Sequence, residues 1–553
     1  MKEQGPQQPE SPARRQQLKY PVSWVCTVLQ DAACPPETAS AVQVLQGGKR
    51  MSNDALAHIN PLKCLFVCCA LTVLLLSYFL SSNIFSTQKD GKEPPGPTPL
   101  PVIGTLQQLD LNTLHIKLLE LSKKYGSIFT IYLGTKKVVF LLGYNTVKEA
   151  LVDYAEAFGE RDPIPIMDEL FRGQGIVWAN GESWKKMRQF MMMNLKDFGM
   201  GKKEDKIIEE CHYLLEAFKP FKGKAFDVNQ LLSNATANVI CSLIYGNRFD
   251  YNDPEFTSLV YRTCRNMKLL STPSVQLYNM FPWIGKWFSY PNEFKKAFAA
   301  NREQQMKLVS HLKETLNPKM CRGFVDAFLI HQDNLEKSGI TTSHFHNENL
   351  LMTIISLFVG GTETLSRTIT WGLFLMAKYP KIQEKVREEL SRVMGDHQVQ
   401  FKDRTELPFT NAVIHETQRL TAIAALGLPH RTSQDITFRG HFIKKGTAVY
   451  PFLLSVLSDE SEWEKPYTLY PEHFLDKDGK FIQRDAFMVF SAGRRVCPGA
   501  RLARTELFIF FTFLLQHFRI TLPPGVSEDE LYLSASDSLI HNHSNVKLCA
   551  VPL

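Results

Sequence analysis

Phe490-Ser491-Ala492-Gly493-Arg494-Arg495-Val496-Cys497-Pro498-Gly499 runs straight into an apolar helical pattern from Ala500 through Leu515. Cys497 is the one cysteine set between two glycines and an arginine in a loop that feeds a helix, where backbone N–H groups point outward. That setting stabilises an anion. A free thiol titrates near ~8.5, and amide donors, a helix N-terminus or a metal lower that value and make a thiolate, a ligand for a soft metal. Gly493 lets the chain fold tightly under a flat ligand, Gly499 lets the helix start approach closely, and Arg495 can pair with an acidic group on that ligand. The plain reading of one cysteine is a small buried hydrophobe. Five fixed positions in one register (Phe490, Gly493, Arg495, Cys497, Gly499) would match by chance on the order of once in 10,000 chains of this length.

F-x-x-G-x-R-x-C-x-G resembles the haem-binding loop of the cytochrome P450 family. The resemblance implies haem b (iron protoporphyrin IX) with Cys497 as its axial metal ligand, and a thiolate that pushes electron density onto iron and favours O–O cleavage.

The chain has 553 residues, 44% hydrophobic and 22% charged, enough to bury a large core. No Pro/Gly/Ser linker or charge run divides it after Gly104, and no internal repeat is present. One large, mostly helical domain follows. The formal charge of +7 is spread along the chain and suits an anionic membrane surface or an acidic protein partner better than nucleic acid. Eleven cysteines without regular spacing make no disulfide framework, so the bulk reads as protein of a reducing compartment.

Residues 1–60 read as a disordered N-terminal extension, with Met51 a second candidate start. Residues 61–80, Pro61 to Leu80, are long and apolar enough to span a bilayer. The competing reading, a cleaved signal peptide, expects an apolar core of ~7–15 residues and a small-residue cleavage site, and neither is found. Lys49 and Arg50 before the span balance Lys89 and Lys92 after it; translation from Met51 leaves the basic residues mainly after the span and the body in the cytosol. Residues 81–104 form a linker and a hinge, Pro94-Pro95-Gly96-Pro97-Thr98-Pro99-Leu100-Pro101-Val102-Ile103-Gly104, stiff and extended through its prolines. An ordinary linker or a polyproline ligand is the alternative for that stretch. The resemblance favours a hinge, since microsomal family-two members carry one after their anchor.

Within the body, 105–553, Trp184 and Arg188 lie at i and i+4 on a helix and can face one ligand. Alone they read as a stacked surface pair; matched to the family's W-x-x-x-R they resemble the pair that reaches a haem propionate. Arg172 and His430 match further propionate partners of family-two members. Asn347 to Tyr379 is a nearly unbroken helical pattern with Val359-Gly360-Gly361-Thr362-Glu363-Thr364 at its middle, closed by Pro380. Two glycines there cost about 1 kcal/mol each against alanine, and their use is room for dioxygen above a flat cofactor. The bland reading is a kink. The stretch resembles the family's oxygen-binding motif, which implies Thr364 and Glu363 as the catalytic proton relay; Leu365 departs from the usual Thr or Ser. Glu416 and Arg419 match the family's buried E-x-x-R, and Pro471-Glu472-His473-Phe474 its third partner with His473 in place of arginine.

The expected pocket lining is Leu357, Phe358, Gly361 and Leu365 on the long helix, Ala424, Ala425 and Leu426 after the E-x-x-R helix, and Leu539 and Ile540 near the end. Being almost wholly apolar, it implies lipophilic substrates such as xenobiotics or fatty acids. The expected whole is a mainly α protein with a small β region, the cytochrome P450 fold, anchored in the endoplasmic reticulum membrane with its haem domain facing the cytosol. The resemblance implies a monooxygenase fed with NADPH-derived electrons by a reductase and by cytochrome b5, docked near Lys185, Lys186, Arg494 and Arg501. A haem-thiolate isomerase or dehydratase acting on lipid peroxides needs no Glu363-Thr364 pair, and a gas sensor needs no proton relay.

Overall fold

The computed structural model describes residues 69–73, 76, 93–109, 113–197, 200–283, 289–340, 344–395, 397–526 and 547–553. The N-terminal extension, most of the expected span and the pocket candidates Leu539 and Ile540 lie outside the described residues. Within the span, 69–73 are helical, with Leu71 and Val73 exposed.

The proline-rich hinge docks on the body. Thr130 N–H donates to Pro95 O at 2.7 Å, and a Cβ on Gly96 would lie 2.0 Å from Thr130 O, so only glycine allows this approach. Helix α1 (Leu114–Tyr125) and the expected hairpin, β1 (Ile128–Leu133) with β2 (Lys136–Leu141), follow. Then come β3 (Glu160–Arg161), α2 (Pro165–Phe171), α3 (Gly181–Asp197), α4 (Met200–Phe218), β4 (Ala225–Phe226), α5 (Asn229–Ile244), α6 (Pro254–Leu270), α7 (Pro273–Met280), α8 (Ser289–Glu314) and α9 (Phe324–Lys337). The long pattern becomes α10 (Asn347–Lys378), followed by α11 (Pro380–Val393) and α12 (Pro408–Thr421). Strands β5 (His430–Arg431), β6 (Ile436–Phe438), β7 (His441–Ile443) and β8 (Ala448–Pro451), helix α13 (Ala500–His517), and strands β9 (Phe518–Thr521) and β10 (Leu548–Pro552) follow, with short helical turns between some of the elements.

Helix ends follow local chemistry. The Asp253 side chain accepts from Glu255 N and Phe256 N ahead of α6. The His346 ring accepts from Asn349 N at 3.3 Å and caps α10, whose last turn stops at Pro380, the first residue of α11. The main sheet has the order β1-β2-β8-β5-β3, parallel only between β2 and β8. Its far edge places Arg161 opposite His430.

Helix α10 is about 48 Å long and is long and apolar enough to cross a membrane, but 72% of its apolar window is buried. A helix apolar on all sides belongs inside a protein. Its C-terminal half packs with α11, α12 and α13, and its N-terminal half with α5 and α9 on one side and α2, α7 and α8 on another. Val359 to Thr364 lies where these cores meet.

Candidate cofactor site

The cysteine loop is fixed by backbone contacts. Gly493 adopts φ 68°, and a Cβ there would meet Leu151 O at 1.7 Å, so no other residue fits. Cys497 N–H donates to Phe490 O at 2.9 Å, and α13 starts three residues beyond the sulfur. The Cys497 side chain is exposed, yet burial pushes its thiol up, opposed by the N–H groups of Gly499 and Ala500 and by the Arg188 guanidinium. A sulfur both accessible and desolvated sits at the floor of a recess.

A basic rim surrounds it. Arg188 donates to Val496 O at 2.6 Å. Arg495 stacks 3.8 Å from the centre of the Trp184 ring and donates to Gly159 O at 2.8 Å, Ala179 O at 3.0 Å and Asn180 Oδ1 at 2.7 Å. Arg161, unremarked in the sequence, is buried beside them, with its backbone N–H on Asn180 Oδ1 and its Nη1 on Leu428 O. Burial, with Arg188 alongside, lowers Arg161 to about 9; burial, with Arg161 and Arg188, lowers Arg495 to about 8. His430 donates Nδ1–H to Phe158 O at 2.6 Å and is held down to about 3, first by burial and then by Arg161.

Among the described residues none of these three arginines forms an ion pair. Arg161 Nε, Arg495 Nη1 and Trp184 Nε1 are buried without a hydrogen-bond partner. Buried donors without acceptors, on cations that repel one another, are built to receive an anion. Arg172 is not among them: it is exposed, in the left-handed C-cap of α2 (φ 49°).

Helix α10 carries an opening of its own. Gly360 and Thr364, one turn apart, are exposed in the middle of this otherwise buried helix, Leu357 is half-buried, and a Cβ on Gly360 would meet nothing within 4 Å. The helix runs unbroken through this stretch, and at Gly360 the absent side chain leaves open space. Gly361 faces away: a Cβ there would lie 2.3 Å from Ile240 Cδ1 of α5. Phe358 and Leu365 are likewise buried in core clusters, as is Ala425. Ala424 is exposed and Leu426 half-buried. The Thr364 hydroxyl donates to Gly360 O at 2.6 Å, and Glu363 points elsewhere, paired with Arg367 at 2.9 Å.

Beneath the loop, Arg419 and Glu416 form two hydrogen bonds of 2.7 Å, both fully buried, and Arg419 also donates to Leu457 O at 2.7 Å, Pro466 O at 2.8 Å and Thr468 O at 3.4 Å. His473 Nε2 accepts from Lys465 N–H at 3.2 Å, so that nitrogen carries no proton and Nδ1–H faces Glu416 at 3.2 Å. The third partner is therefore a hydrogen-bond donor to Glu416.

The donor set fits a haem: an accessible thiol, an opening in an apolar helix, and buried partnerless donors that would receive its propionates. A mainly helical body enclosing a cysteine and an anion-seeking rim in this way defines a haem-thiolate oxidoreductase. The family model described as Cytochrome P450 matches residues 94–550. The chain is similar to cytochrome P450 2K4 of Oncorhynchus mykiss, 54% identical over 87% of this chain and 96% of the relative. It is also similar to cytochrome P450 2K6 of Danio rerio, at 50% over 82% and 90%, and to cytochrome P450 2B4 of Oryctolagus cuniculus, at 40% over 85% and 97%. The chain belongs to the cytochrome P450 family, and is a haem-dependent monooxygenase that draws NADPH-derived electrons through a reductase.

Proposed function

We propose that Cys497 is the axial haem ligand and that Arg161, Trp184, Arg188, Arg495 and His430 hold the propionate edge, with Phe490, Gly493 and Gly499 shaping the loop beneath. The observation that carries this is the accessible Cys497 sulfur in a recess rimmed by Arg161 Nε, Arg495 Nη1 and Trp184 Nε1, all buried and partnerless. Bound haem supplies reductive activation of dioxygen, for which thiolate ligation favours O–O cleavage. On the other face Gly360 leaves room and the Thr364 hydroxyl holds a proton over the notch. Glu363 enters the relay by leaving Arg367. Apolar walls bind lipophilic xenobiotics or fatty acids by shape, exclude water and orient the carbon to be oxidised.

The reading includes a single-pass anchor at 61–80, a linker and hinge at 81–104, and a haem domain at 105–553 on the cytosolic face of the endoplasmic reticulum. Lys185, Lys186 and Arg501 are exposed on or beside the loop side, where the acidic reductase and cytochrome b5 would dock. Arg494 is paired with Glu156, and Lys185 with Glu182 at 2.7 Å, so docking exchanges these partners. Cys497→Ser tests the core of the reading: the reduced-CO absorption band of thiolate-ligated haem is expected to vanish, and a retained band removes Cys497 as the ligand.

A further inference from the structure

A second cavity, of about 280 Å³, lies away from the recess, between α1, the last turns of α10, the end of α12 and the short helix Leu453–Leu457. Ile116, Leu119, Trp371, Leu375, Leu454 and Tyr467 form most of its wall. Trp371 and Leu375 stand seven and eleven residues beyond Thr364, roughly 10 to 17 Å along the helix axis. This space is therefore separate from the oxygen notch.

The wall is apolar and its polar groups are spent. Arg419 donates to Glu416, Leu457, Pro466 and Thr468. Thr421 donates to Thr417 O at 2.8 Å and Ser458 to Leu454 O at 2.7 Å, and His115 also has a partner. An apolar cavity of ~150 Å³ stays dry and binds benzene; this one is nearly twice as large, the space for a length of hydrocarbon chain. Ile116 (47% exposed) and Tyr467 (65%) mark its mouth. Of the described lysines beside the mouth, Lys117, next to Ile116, is paired with Glu120 at 2.8 Å, and Lys465, next to Pro466, lies over the Tyr470 ring at 3.9 Å. The ligand's polar end therefore stays outside.

The position of the mouth identifies the source. Helix α1 is the first helix after the hinge, on which Val102 and Ile103 are exposed, and Gln108 donates to Thr98 O at 3.2 Å, tying the approach to α1 back onto the hinge. A bilayer that meets the hinge is within reach of Ile116. We propose that this cavity takes one acyl chain of a bilayer phospholipid, tail first, its headgroup remaining at the membrane surface. The proposal rests on the membrane attachment argued above. A seated chain packs on Leu457 and Pro466, whose carbonyls hold Arg419, so it stiffens the network beneath the cysteine loop.

The experiment uses the full-length holoenzyme in phosphatidylcholine vesicles doped with a phosphatidylcholine bearing a diazirine near the end of one acyl chain. A parallel sample contains a free diazirine fatty acid in undoped vesicles. After illumination, labelled peptides are mapped by mass spectrometry. Labelling of 114–125 and 453–467 by the phospholipid is expected. Leu119→Trp, which fills the cavity, should cut it about tenfold, with label in 61–80 and the reduced-CO band unchanged. Ile116→Trp, at an exposed position that does not threaten folding, should do the same by closing the mouth. Label in 61–80 without label in α1, or undiminished label in both variants, overturns the site while leaving the anchor intact. Label from the free acid alone overturns the phospholipid source. Failure of the protein to float with vesicles overturns the membrane attachment and this lipid source together.

Discussion

Two arginine clusters, one around Arg419 and one around Arg161, Arg188 and Arg495, are built in opposite ways. Around Arg419 the donors engage Glu416 and backbone carbonyls, and even the His473 tautomer is fixed by its neighbours. Around Arg161, Arg188 and Arg495 like charges crowd together, no described ion pair compensates them, and donors are left over. The first cluster is complete within the chain and so serves the fold. The second is incomplete without a ligand and so serves binding.

Substitutions separate the two. The largest loss is expected from Glu416→Ala, which strands Arg419 as an unpaired buried charge at a cost of about 3–5 kcal/mol. Urea unfolding would check it, and a change under about 1 kcal/mol would contradict the closed network. Arg161→Gln should act with the reverse sign on the protein without haem, leaving its melting temperature unchanged or higher because repulsion is relieved. Haem retention, followed by transfer to an acceptor protein, should fall about tenfold, in line with ~1.5 kcal/mol for a charged hydrogen bond. Equal destabilisation by both substitutions would erase the contrast.

A third kind of buried charge sharpens it. Glu506 on α13 is fully buried, both carboxylate oxygens lack a partner, and burial raises its pKa well above 4.5. With its folded pKa raised, the stability it permits is whole below about 4.5 and declines above, by up to about 1.4 kcal/mol per pH unit until the folded pKa is passed. Glu506→Gln should flatten the pH dependence of unfolding above that point. An unchanged slope would mean that the carboxylate finds a counter-charge. The smallest effect is expected from Arg172→Ala, within about 0.5 kcal/mol and without change in haem retention; a loss matching that of Arg161→Gln would return Arg172 to the rim.

What the sequence revealed follows from distance along the chain. Trp184 with Arg188, Glu416 with Arg419, and the ten-residue cysteine loop are local patterns, and helical spacing alone brings their members together. Arg161 was illegible because it sits on a two-residue strand and reaches the rim through pairing with His430, far along the chain. Glu363 was legible as a residue type but not as Arg367's partner, since a side chain with two neighbours in reach follows the charge. Of the pocket residues expected on α10, Leu357 is half-buried, Phe358 and Leu365 sit in core clusters and Gly361 faces Ile240. Which of two consecutive glycines meets the notch depends on where α5 packs, and that is a tertiary fact.

Those two glycines carry unequal evolutionary freedom. Gly361 lies against the Ile240 side chain, so a methyl there makes that side chain shift. Gly360 borders empty space and tolerates one. A single added carbon at 360 would lower the ceiling over the reacting centre without disturbing the scaffold, making this position a dial by which such a chain trades bulky substrates for smaller ones.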